Sequence, residues 1–511
     1  MIAASVLAAL GAFFGFANPL ARVPGLILLF PAGLAYMAYR APSVRLALKY
    51  GYWTGFAASV CSLYWTAIPV HYYGFLPWWM AAPIPALMSL YLALFPGAFT
   101  ALVRFSRDRL AVWALGLFAG CLWAALEMLR GSLFTGFPWL TAAAALAPWP
   151  FAIQGAAYLG AYGLSGFLAG CASLAVFGRR GPALAGAGLV VALFAWGAVS
   201  LRTPLPEDGA FTASVIQGNV EQARKWDPAY QEQTVSEYLA LSQAQADAAG
   251  PALMVWPETA MPFYLQKTSE LRDRVTAFAR DNGLCLVTGA PAAVQSGKGY
   301  VFFNRAFLIG TDGELKASYD KRHLVPFGEY VPFGDLFPFI SKLAQGAGDF
   351  KPGTSPAPLK CGDLALGMLI CYEAIFPELA QERVAAGANV LVNISNDAWF
   401  GDSPAPRQHL DLSLLRAVEQ GRYLIRATNT GVSAFIDPKG RVLDHGGLFV
   451  SQGLSRTGVG RISSLTFFHR FYGILFISIF TCAIILPFAS GVFPALGPRR
   501  PGRTSTINPG T

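Results

Sequence analysis

Long stretches of the chain carry no charged side chain, and this feature restricts the possible folds more than any other. Seven stretches contain no Asp, Glu, Lys or Arg: residues 1–21, 23–39, 50–103, 110–126, 131–178, 181–201 and 471–498. A helix that crosses the hydrocarbon core of a bilayer needs about 20 mainly apolar residues. The stretch 50–103 is long enough for two such helices joined by a turn. The pattern therefore predicts a polytopic α-helical membrane domain.

We predict about eight membrane spans. They cover approximately residues 2–17, 23–40, 50–70, 79–103, 110–128, 151–177, 182–201 and 470–492. The first is short enough to be a signal peptide, but it lacks the basic residues that precede such a segment, which favours a retained span. The predicted division is therefore spans one to seven at 1–201, a non-membrane domain at 202–465, and span eight with a tail at 466–511.

Charged residues are scarce in this chain. They make up 13% of the chain, against about 25% in an average soluble domain. With the N-terminus inside, the loops at 40–49, 104–109 and 179–180 and the C-terminal tail are basic, whereas the opposite short loops carry only Arg22 and Arg130. The positive-inside rule then predicts that both termini are cytoplasmic and that the non-membrane domain lies outside, which in a Gram-negative cell is the periplasm. Because these loops also account for much of the net charge of +9, no nucleic-acid partner is predicted.

From Phe211 onward, short β-rich runs alternate with helical stretches. Strands are predicted at Thr212–Gln217, Ala252–Trp256, Cys285–Gly289, Phe302–Ile309, Ala365–Cys371 and Asn389–Ile394. Helices are predicted at Ala229–Ala248, Glu270–Asn282, Pro377–Ala386 and Pro406–Thr428, and a hairpin at Val432–Asp444. Such alternation predicts an α/β layered domain, and about 250 residues suffice for its core.

Three segments of this domain place reactive groups at strand ends or in irregular loops, where catalytic residues are common. Glu258 follows one buried run, Cys371 ends another, and Lys321 lies in a segment rich in charges, prolines and aromatics. A thiol needs a base to become a nucleophile, and Glu258 is the candidate base if burial raises its pKa. Lys321 is a candidate for stabilising an oxyanion.

The histidines and the other cysteines do not indicate further catalytic residues. A histidine is the commoner base for activating a catalytic cysteine, but nothing in the sequence brings His323, His409 or His445 to Cys371. His323 is predicted to have a structural role. Three of the seven cysteines lie in the α/β domain, so at least one thiol there is unpaired or pairs with another chain. Since no Cys or His spacing fits a metal site, neither a metal nor a cofactor is predicted.

Two features near the fifth span allow alternative interpretations. Glu127 is either a functional group within the membrane or an ion-pair partner of Arg130. The aromatic loop at 134–139 is either an interfacial belt or the lipid-facing wall of a site, in which case Phe137 and Trp139 are substrate-binding candidates.

Together, the segments around Glu258, Lys321 and Cys371 resemble the Glu–Lys–Cys triad of the nitrilase, or carbon–nitrogen hydrolase, superfamily, whose fold is an αββα sandwich. A narrower resemblance, to the apolipoprotein N-acyltransferase family, rests on these segments: Gln217–Asn219 with Lys225-Trp226, Trp256–Glu258, Tyr319–Phe333, Cys371–Glu373, Asn393–Gly401, Gln408-His409 and Arg426–Gly431. It covers essentially the whole chain. The departures, Glu221 where Pro is common and Arg305 where a small residue is common, do not touch the triad.

The resemblance implies a two-step acyl transfer. Cys371 would take an acyl chain from a phospholipid, typically phosphatidylethanolamine, and pass it from a thioester to the α-amino group of a diacylglyceryl-Cys at an apolipoprotein N-terminus. The resemblance also implies that Glu329 orients Lys321, that Glu373 shares the charge network or forms a structural ion pair, and that a monomer acts alone. Three further residues are implied near the substrate. Trp226 and Tyr372 would shape a pocket, with ordinary core packing as the alternative for Trp226. Asn304 would hydrogen-bond near the site or else satisfy a turn.

A long loop without periodicity at 334–352 is predicted to be a mobile lid over the site.

Two other functions compete with acyl transfer. A membrane-anchored amidase or nitrilase would hydrolyse the thioester, but it would need only one membrane anchor rather than eight spans. A non-catalytic scaffold or transporter would leave Glu258, Lys321 and Cys371 unexplained, and few ionisable residues fall within the spans.

Overall fold

The structure, a computed structural model, describes residues 1–178, 180–221, 227–297, 299–330 and 350–488. Trp226 and nearly all of the predicted lid lie outside these residues. The helices are α1 Ile2–Gly15, α2 Leu29–Arg40, α3 Val44–Leu63, α4 Ala67–Tyr72, α5 Trp78–Ala81, α6 Ile84–Leu92, α7 Leu94–Ser106, α8 Val112–Ser132, α9 Ala142–Ala145, α10 Pro150–Ile153, α11 Ala156–Val176, α12 Arg180–Ser200, α13 Pro228–Ala249, α14 Glu270–Asp281, α15 Pro377–Ala385, α16 Ala405–Gln420 and α17 Phe467–Ile485. The strands are β1 Gly209–Gln217, β2 Leu253–Val255, β3 Cys285–Ser296, β4 Gly299–Ile309, β5 Leu315–Asp320, β6 Leu359–Cys361, β7 Leu364–Ile370, β8 Val390–Ser395, β9 Leu424–Thr428, β10 Ala434–Ile436, β11 Val442–His445 and β12 Gln452–Arg461.

Five segments of the described chain are long and apolar enough to cross a membrane: Trp78–Ser106, Val112–Ser132, Ala156–Val176, Arg180–Ser200 and Phe467–Phe488. Four of them precede the α/β domain and one follows it. At the other predicted spans, α1 is a shorter apolar helix, and α2 and α3 are also helical. A polytopic membrane domain is therefore present, whereas the count of eight spans stays a prediction.

Helices α8 and α11 pack against each other at positions occupied by glycine. A Cβ on Gly120 would lie 2.8 Å from the carbonyl oxygen of Gly166, and a Cβ on Gly166 would lie 2.5 Å from that of Gly120. Small residues allow two membrane helices to approach this closely and gain van der Waals contact.

The α/β domain contains two six-stranded sheets, in the orders β12-β1-β2-β3-β4-β5 and β11-β10-β9-β8-β7-β6. Strand side chains alternate between the two faces. Val255 and Ile370 face the core between the sheets, while Met254 faces the helix layer of α13 and α14, and Leu369 faces that of α15 and α16. The result is the predicted αββα sandwich.

The helix layer of α15 and α16 lies between the second sheet and the membrane domain. One continuous apolar core joins residues of α16, such as Leu412 and Leu415, to membrane-domain residues such as Leu146 and Leu164. An ion pair between Arg22 and Asp411, at 2.5 Å, adds a polar contact to the same interface. The membrane domain is therefore packed directly against the sandwich rather than tethered to it by a linker.

Most predicted elements of the sandwich are present, including the hairpin of β10 and β11. The helix predicted at Pro406–Thr428 is wrong in its second half, because α16 ends at Gln420 and residues 424–428 form β9. Gly421, with φ of 61°, ends the helix in the left-handed conformation typical of a helix C-terminus. A disulfide joins Cys285 of the first sheet to Cys361 of the second, which leaves Cys371 as the free cysteine of this domain.

Candidate active site

Three strands end at one edge of the sandwich and bring the predicted site residues together. Glu258 follows β2, Cys371 follows β7, and Asn396 follows β8. Strands β7 and β8 are parallel, so their carboxyl ends meet at the same edge. The backbone N–H of Asn396 donates to Glu258 Oε2 at 2.9 Å, which ties the two sheets together beside Cys371.

Lys321 is 1% exposed and lies between two carboxylates. Its Nζ is 2.8 Å from Glu329 Oε2 and 3.6 Å from Glu258 Oε1. Burial alone would lower the pKa of Lys321, but Glu329 and Glu258 stabilise the ammonium ion and raise that pKa. Lys321 is therefore a fixed cation at neutral pH, as an oxyanion partner must be.

Asn304 lies within this cluster rather than at its edge. Its Nδ2 donates to Glu258 Oε1 at 2.7 Å and to Glu329 Oε1 at 2.8 Å. One amide group thus holds two carboxylates at a fixed separation. Glu329 also accepts from the backbone N–H of Val325 at 2.8 Å, so its carboxylate is oriented from both sides.

The loop that carries Glu258 depends on Gly289 of β3. A Cβ on Gly289 would lie 2.6 Å from the nitrogen of Thr259, 2.7 Å from Glu258 Cα and 2.8 Å from the carbonyl oxygen of Pro257. All three are backbone atoms, which cannot turn away as a side chain can. Thr259 adds strain with φ of 51°, a conformation uncommon for a residue other than glycine.

Glu373 is fully buried and joins the Lys321 segment to the turn that carries Cys371. Its Oε1 accepts from the backbone N–H of Arg322 at 2.8 Å and from the Tyr319 hydroxyl at 2.7 Å, and its Oε2 accepts from the N–H of Ile370 at 2.7 Å. Of the two roles considered for Glu373, these contacts favour the structural one. Glu373 therefore holds Arg322, which follows Lys321, and Ile370, which precedes Cys371.

Cys371 begins a short 3-10 turn at the end of β7, with φ of 50°. Its thiol is buried, and burial is the main reason why its pKa is raised, with a further contribution from Glu258 and an opposing one from Lys321. Cys371 is therefore a protonated thiol at neutral pH, and it needs a base before it can attack. Both predicted partners are near enough to influence its charge.

The aromatic candidates divide between the interface and the core. The Tyr372 hydroxyl donates to the carbonyl oxygen of Gly136 at 2.9 Å, so Tyr372 links the nucleophile turn to the membrane domain. Trp139 is 2% exposed, and its Nε1 donates to Gln408 Oε1 at 2.8 Å. Phe137 is half-buried and stacks on Trp139. Substrate binding by Trp139 and Phe137 stays a prediction, although Trp139 is buried within the core.

Glu127 does not rely on Arg130 for its hydrogen bonds. Its Oε1 accepts from Trp123 Nε1 at 2.9 Å and from the backbone N–H of Ala142 at 3.0 Å, whereas Arg130 donates to the carbonyl oxygen of Leu140. Glu127 thereby fixes the start of α9 against α8.

Within the described ranges, no group of three or more His, Cys, Asp or Glu side chains is arranged to hold a metal ion.

A second charged cluster behind Cys371 has no counterpart in the sequence predictions. Asp397 Oδ2 accepts from Arg426 Nη2 at 2.9 Å, and Asp397 Oδ1 lies 3.1 Å from His409 Nδ1. The other ring nitrogen of His409, Nε2, lies 3.1 Å from the carbonyl oxygen of Cys371. His409 therefore lies beside Cys371 in the folded chain, where it contacts the backbone carbonyl rather than the thiol. The motif segments that contain Asp397, His409 and Arg426 were the available signal, but spacing alone could not bring them together.

An αββα sandwich with a Glu, a Lys and a Cys at one edge, fused to membrane helices, is typical of membrane-bound members of the carbon–nitrogen hydrolase superfamily. The family model for carbon-nitrogen hydrolases matches residues 212–452, and the model for the apolipoprotein N-acyltransferase N-terminal domain matches residues 6–174. The apolipoprotein N-acyltransferase of Geobacter metallireducens is 42% identical over 448 residues, covering 84% of this chain and 84% of the relative. That of Nitrosomonas europaea is 37% identical and covers 84% and 85%. The chain belongs to the apolipoprotein N-acyltransferase family.

Among solved structures, an amidase from Nesterenkonia sp. is 23% identical, with a TM-score of 0.36. The match covers 50% of this chain and 92% of the amidase.

Proposed function

We propose that this enzyme transfers an acyl chain from a phospholipid, typically phosphatidylethanolamine, to the α-amino group of the N-terminal diacylglyceryl-Cys of apolipoproteins. The observation that carries the proposal is the position of Cys371, a buried thiol whose pKa depends on the nearby Glu258 and Lys321. It applies in a chain that is 42% identical to a named apolipoprotein N-acyltransferase. Glu258, Lys321 and Cys371 are the proposed catalytic residues. Glu329, Glu373 and Asn304 are proposed to position them.

In the first step, Glu258 takes the Cys371 proton as the sulfur attacks the ester carbonyl of the phospholipid. The oxyanion that forms is stabilised by the Lys321 ammonium and by the backbone N–H of Tyr372. When the intermediate collapses, the C–O bond of the ester breaks and the lysophospholipid leaves with the proton from Glu258. The acyl chain remains on Cys371 as a thioester.

In the second step, the α-amine of the acceptor attacks the thioester carbonyl. Glu258 accepts a proton from the amine, the same two donors stabilise the second oxyanion, and the C–S bond breaks. The proton returns to the Cys371 sulfur, so the products are an amide and the free thiol. Burial of Cys371 and Lys321 limits access of water, and this favours the amine over hydrolysis of the thioester.

We further propose that a bacterial inner membrane holds residues 1–201 and 466–511, with residues 202–465 in the periplasm, both termini in the cytoplasm, and the monomer as the active form. Arg22 and Gly136, which lie in loops predicted to be periplasmic, contact the sandwich through Asp411 and Tyr372. A disulfide between Cys285 and Cys361 fits an oxidising compartment. A site packed against membrane helices also suits two lipid-anchored substrates.

The test uses the detergent-purified protein with phosphatidylethanolamine and a synthetic diacylglyceryl-Cys peptide. Mass spectrometry of the peptide should show the gain of one acyl chain on its amino group, with lysophospholipid formed in equal amount. Free fatty acid in place of acylated peptide would overturn the proposal and favour the amidase-type alternative. The Cys371→Ala variant should give neither product.

A further inference from the structure

His409 is a fully buried residue of α16 whose ring touches the backbone of the proposed nucleophile. Its Nε2 is 3.1 Å from the carbonyl oxygen of Cys371. On the other side of the ring, Nδ1 is 3.1 Å from both Asp397 Oδ1 and Arg426 Nη2. None of the steps proposed above uses this ring.

The partners of the ring decide where its proton lies. A carbonyl oxygen can only accept a hydrogen bond, so Nε2 carries the hydrogen that reaches Cys371. Asp397 would attract a second proton to Nδ1, whereas Arg426 can only donate to that atom. Burial and Arg426 lower the pKa of His409, which favours the neutral ring with its hydrogen on Nε2. The donation to Cys371 is the same whether or not Nδ1 is protonated.

The accepting carbonyl belongs to the same planar peptide unit as the N–H of Tyr372. Rotation of that unit moves both groups together, so a donor fixed on the carbonyl also fixes the direction of the N–H. The unit needs such support, because Cys371 has φ of 50°, an uncommon conformation for a residue other than glycine. A hydrogen bond to the carbonyl also polarises the N–H at the other end of the unit and makes it a stronger donor.

Helix α16 holds the ring rigidly from the membrane side. The neighbouring Gln408 accepts from Trp65 Nε1 at 3.2 Å and from Trp139 Nε1 at 2.8 Å, and its Nε2 donates to the carbonyl oxygen of Ala17 at 2.8 Å. Both Gln408 and His409 are at most 3% exposed. The position of His409 is therefore fixed by the membrane domain as well as by Asp397 and Arg426.

We propose that His409 is a positioning residue that holds and polarises the Cys371–Tyr372 peptide unit, so that the Tyr372 N–H points at the oxyanion in both acyl-transfer steps. This role rests on the proposed function, because it requires an oxyanion next to Cys371. His409 acts through the peptide unit and need not touch the substrate.

The test compares two reactions of Cys371 in the full-length, detergent-purified protein. Acylation by phosphatidylethanolamine passes through an oxyanion, whereas alkylation by iodoacetamide displaces iodide and forms none. His409→Leu removes the donor at similar size, and His409→Gln retains an N–H donor. His469→Leu, which removes another buried histidine bonded to Gln420, is the matched control.

We expect His409→Leu to slow acylation about tenfold to a hundredfold, somewhat less than the loss of a whole oxyanion donor, with alkylation within about twofold of wild type. His409→Gln should recover acylation to within about fivefold, and His469→Leu should match wild type. Equal losses in both reactions, or no loss in His409→Leu, would overturn the inference. If His409→Leu does not fold, the acylation rate of His409→Gln decides. A rate as low as that expected for His409→Leu would overturn the inference, and a rate near wild type would support it. If the wild type forms no acyl adduct, the proposed function itself fails.

Discussion

Two buried charged clusters lie on either side of Cys371, and they are built differently. The first contains Lys321 between the carboxylates of Glu258 and Glu329, so its fixed charges do not cancel. The second pairs Asp397 with Arg426, and both side chains are completely buried. A cluster with more carboxylates than cations suits a group that must accept and release a proton, whereas a matched pair suits a support that must not change. The comparison assigns chemistry to the first cluster and rigidity to the second.

The largest effect should separate activity from stability in the first cluster. Glu258→Gln keeps the size of the side chain but removes the base, so acylation should fall at least about a thousandfold. The melting temperature should fall only slightly, because one of two like charges around Lys321 disappears while one acceptor oxygen, bonded to Asn304 or to the N–H of Asn396, is replaced by an NH2 donor. Acylation rates and thermal unfolding of the same preparations test this expectation, and the exposed Glu314→Gln should change neither. A Glu258→Gln variant that retains activity would remove Glu258 from the mechanism.

The opposite behaviour is expected in the second cluster. Arg426→Met leaves Asp397 buried beside His409 without its cation, which should cost about 3–4 kcal/mol of stability. Thermal or denaturant unfolding measures this loss. The matched change Arg280→Met removes an exposed arginine paired with the exposed Asp281 and should cost less than about 1 kcal/mol. Equal losses in the two variants would mean that the buried pair is not a support.

Gly289→Ala tests how closely the Glu258 loop must approach β3. The added methyl group would meet three backbone atoms of residues 257–259, so the loop must shift and acylation should fall about tenfold to a hundredfold. Gly299→Ala on the neighbouring strand is the control, since its methyl group would meet nothing within 4 Å. The ratio of the two acylation rates is the measurement, and a ratio near one would show that the loop adapts.

His323 should make the fold sensitive to acid. Burial lowers the pKa of His323 to about 4, below the value of about 6.5 for a free histidine. The neutral ring therefore contributes stability that is complete above about pH 6.5 and decreases as the pH falls toward 4, by about 2 kcal/mol at pH 5. His323→Phe should lose less stability than wild type between pH 7 and pH 5 when melting temperatures are compared. His445→Phe, at an exposed histidine, should keep the wild-type pH dependence.

The smallest effect is expected where the nucleophile turn meets the membrane domain. Tyr372→Phe removes the hydrogen bond to the Gly136 carbonyl and should cost about 1 kcal/mol of stability. Thermal unfolding against Tyr300→Phe, an exposed tyrosine, checks this value. A loss as large as that of Arg426→Met would indicate that this one bond docks the two domains.

The same contrast explains how much could be predicted from sequence. Strand ends and unusual segments pointed to Glu258, Lys321 and Cys371, because each departs from the local pattern of apolar runs. The αββα sandwich followed from alternating strands and helices together with the family resemblance. The structural role of Asp397 could not be predicted, because it depends on His409 and Arg426, which come from different elements and meet only after the sheet forms. The run at 406–428 misled because only three residues, 421–423, separate α16 from β9, and Gly421 alone marks the end of the helix. The role of Trp226 and the lid at 334–352 remain predictions.

Intact-mass analysis of the purified protein after incubation with phosphatidylethanolamine shows directly whether Cys371 takes up the acyl chain. We expect a mass gain equal to one acyl chain, released by hydroxylamine and absent in Cys371→Ala, because the acyl chain is held as a thioester on that sulfur. An adduct that persists in Cys371→Ala, or that resists hydroxylamine, would rule out a thioester on Cys371.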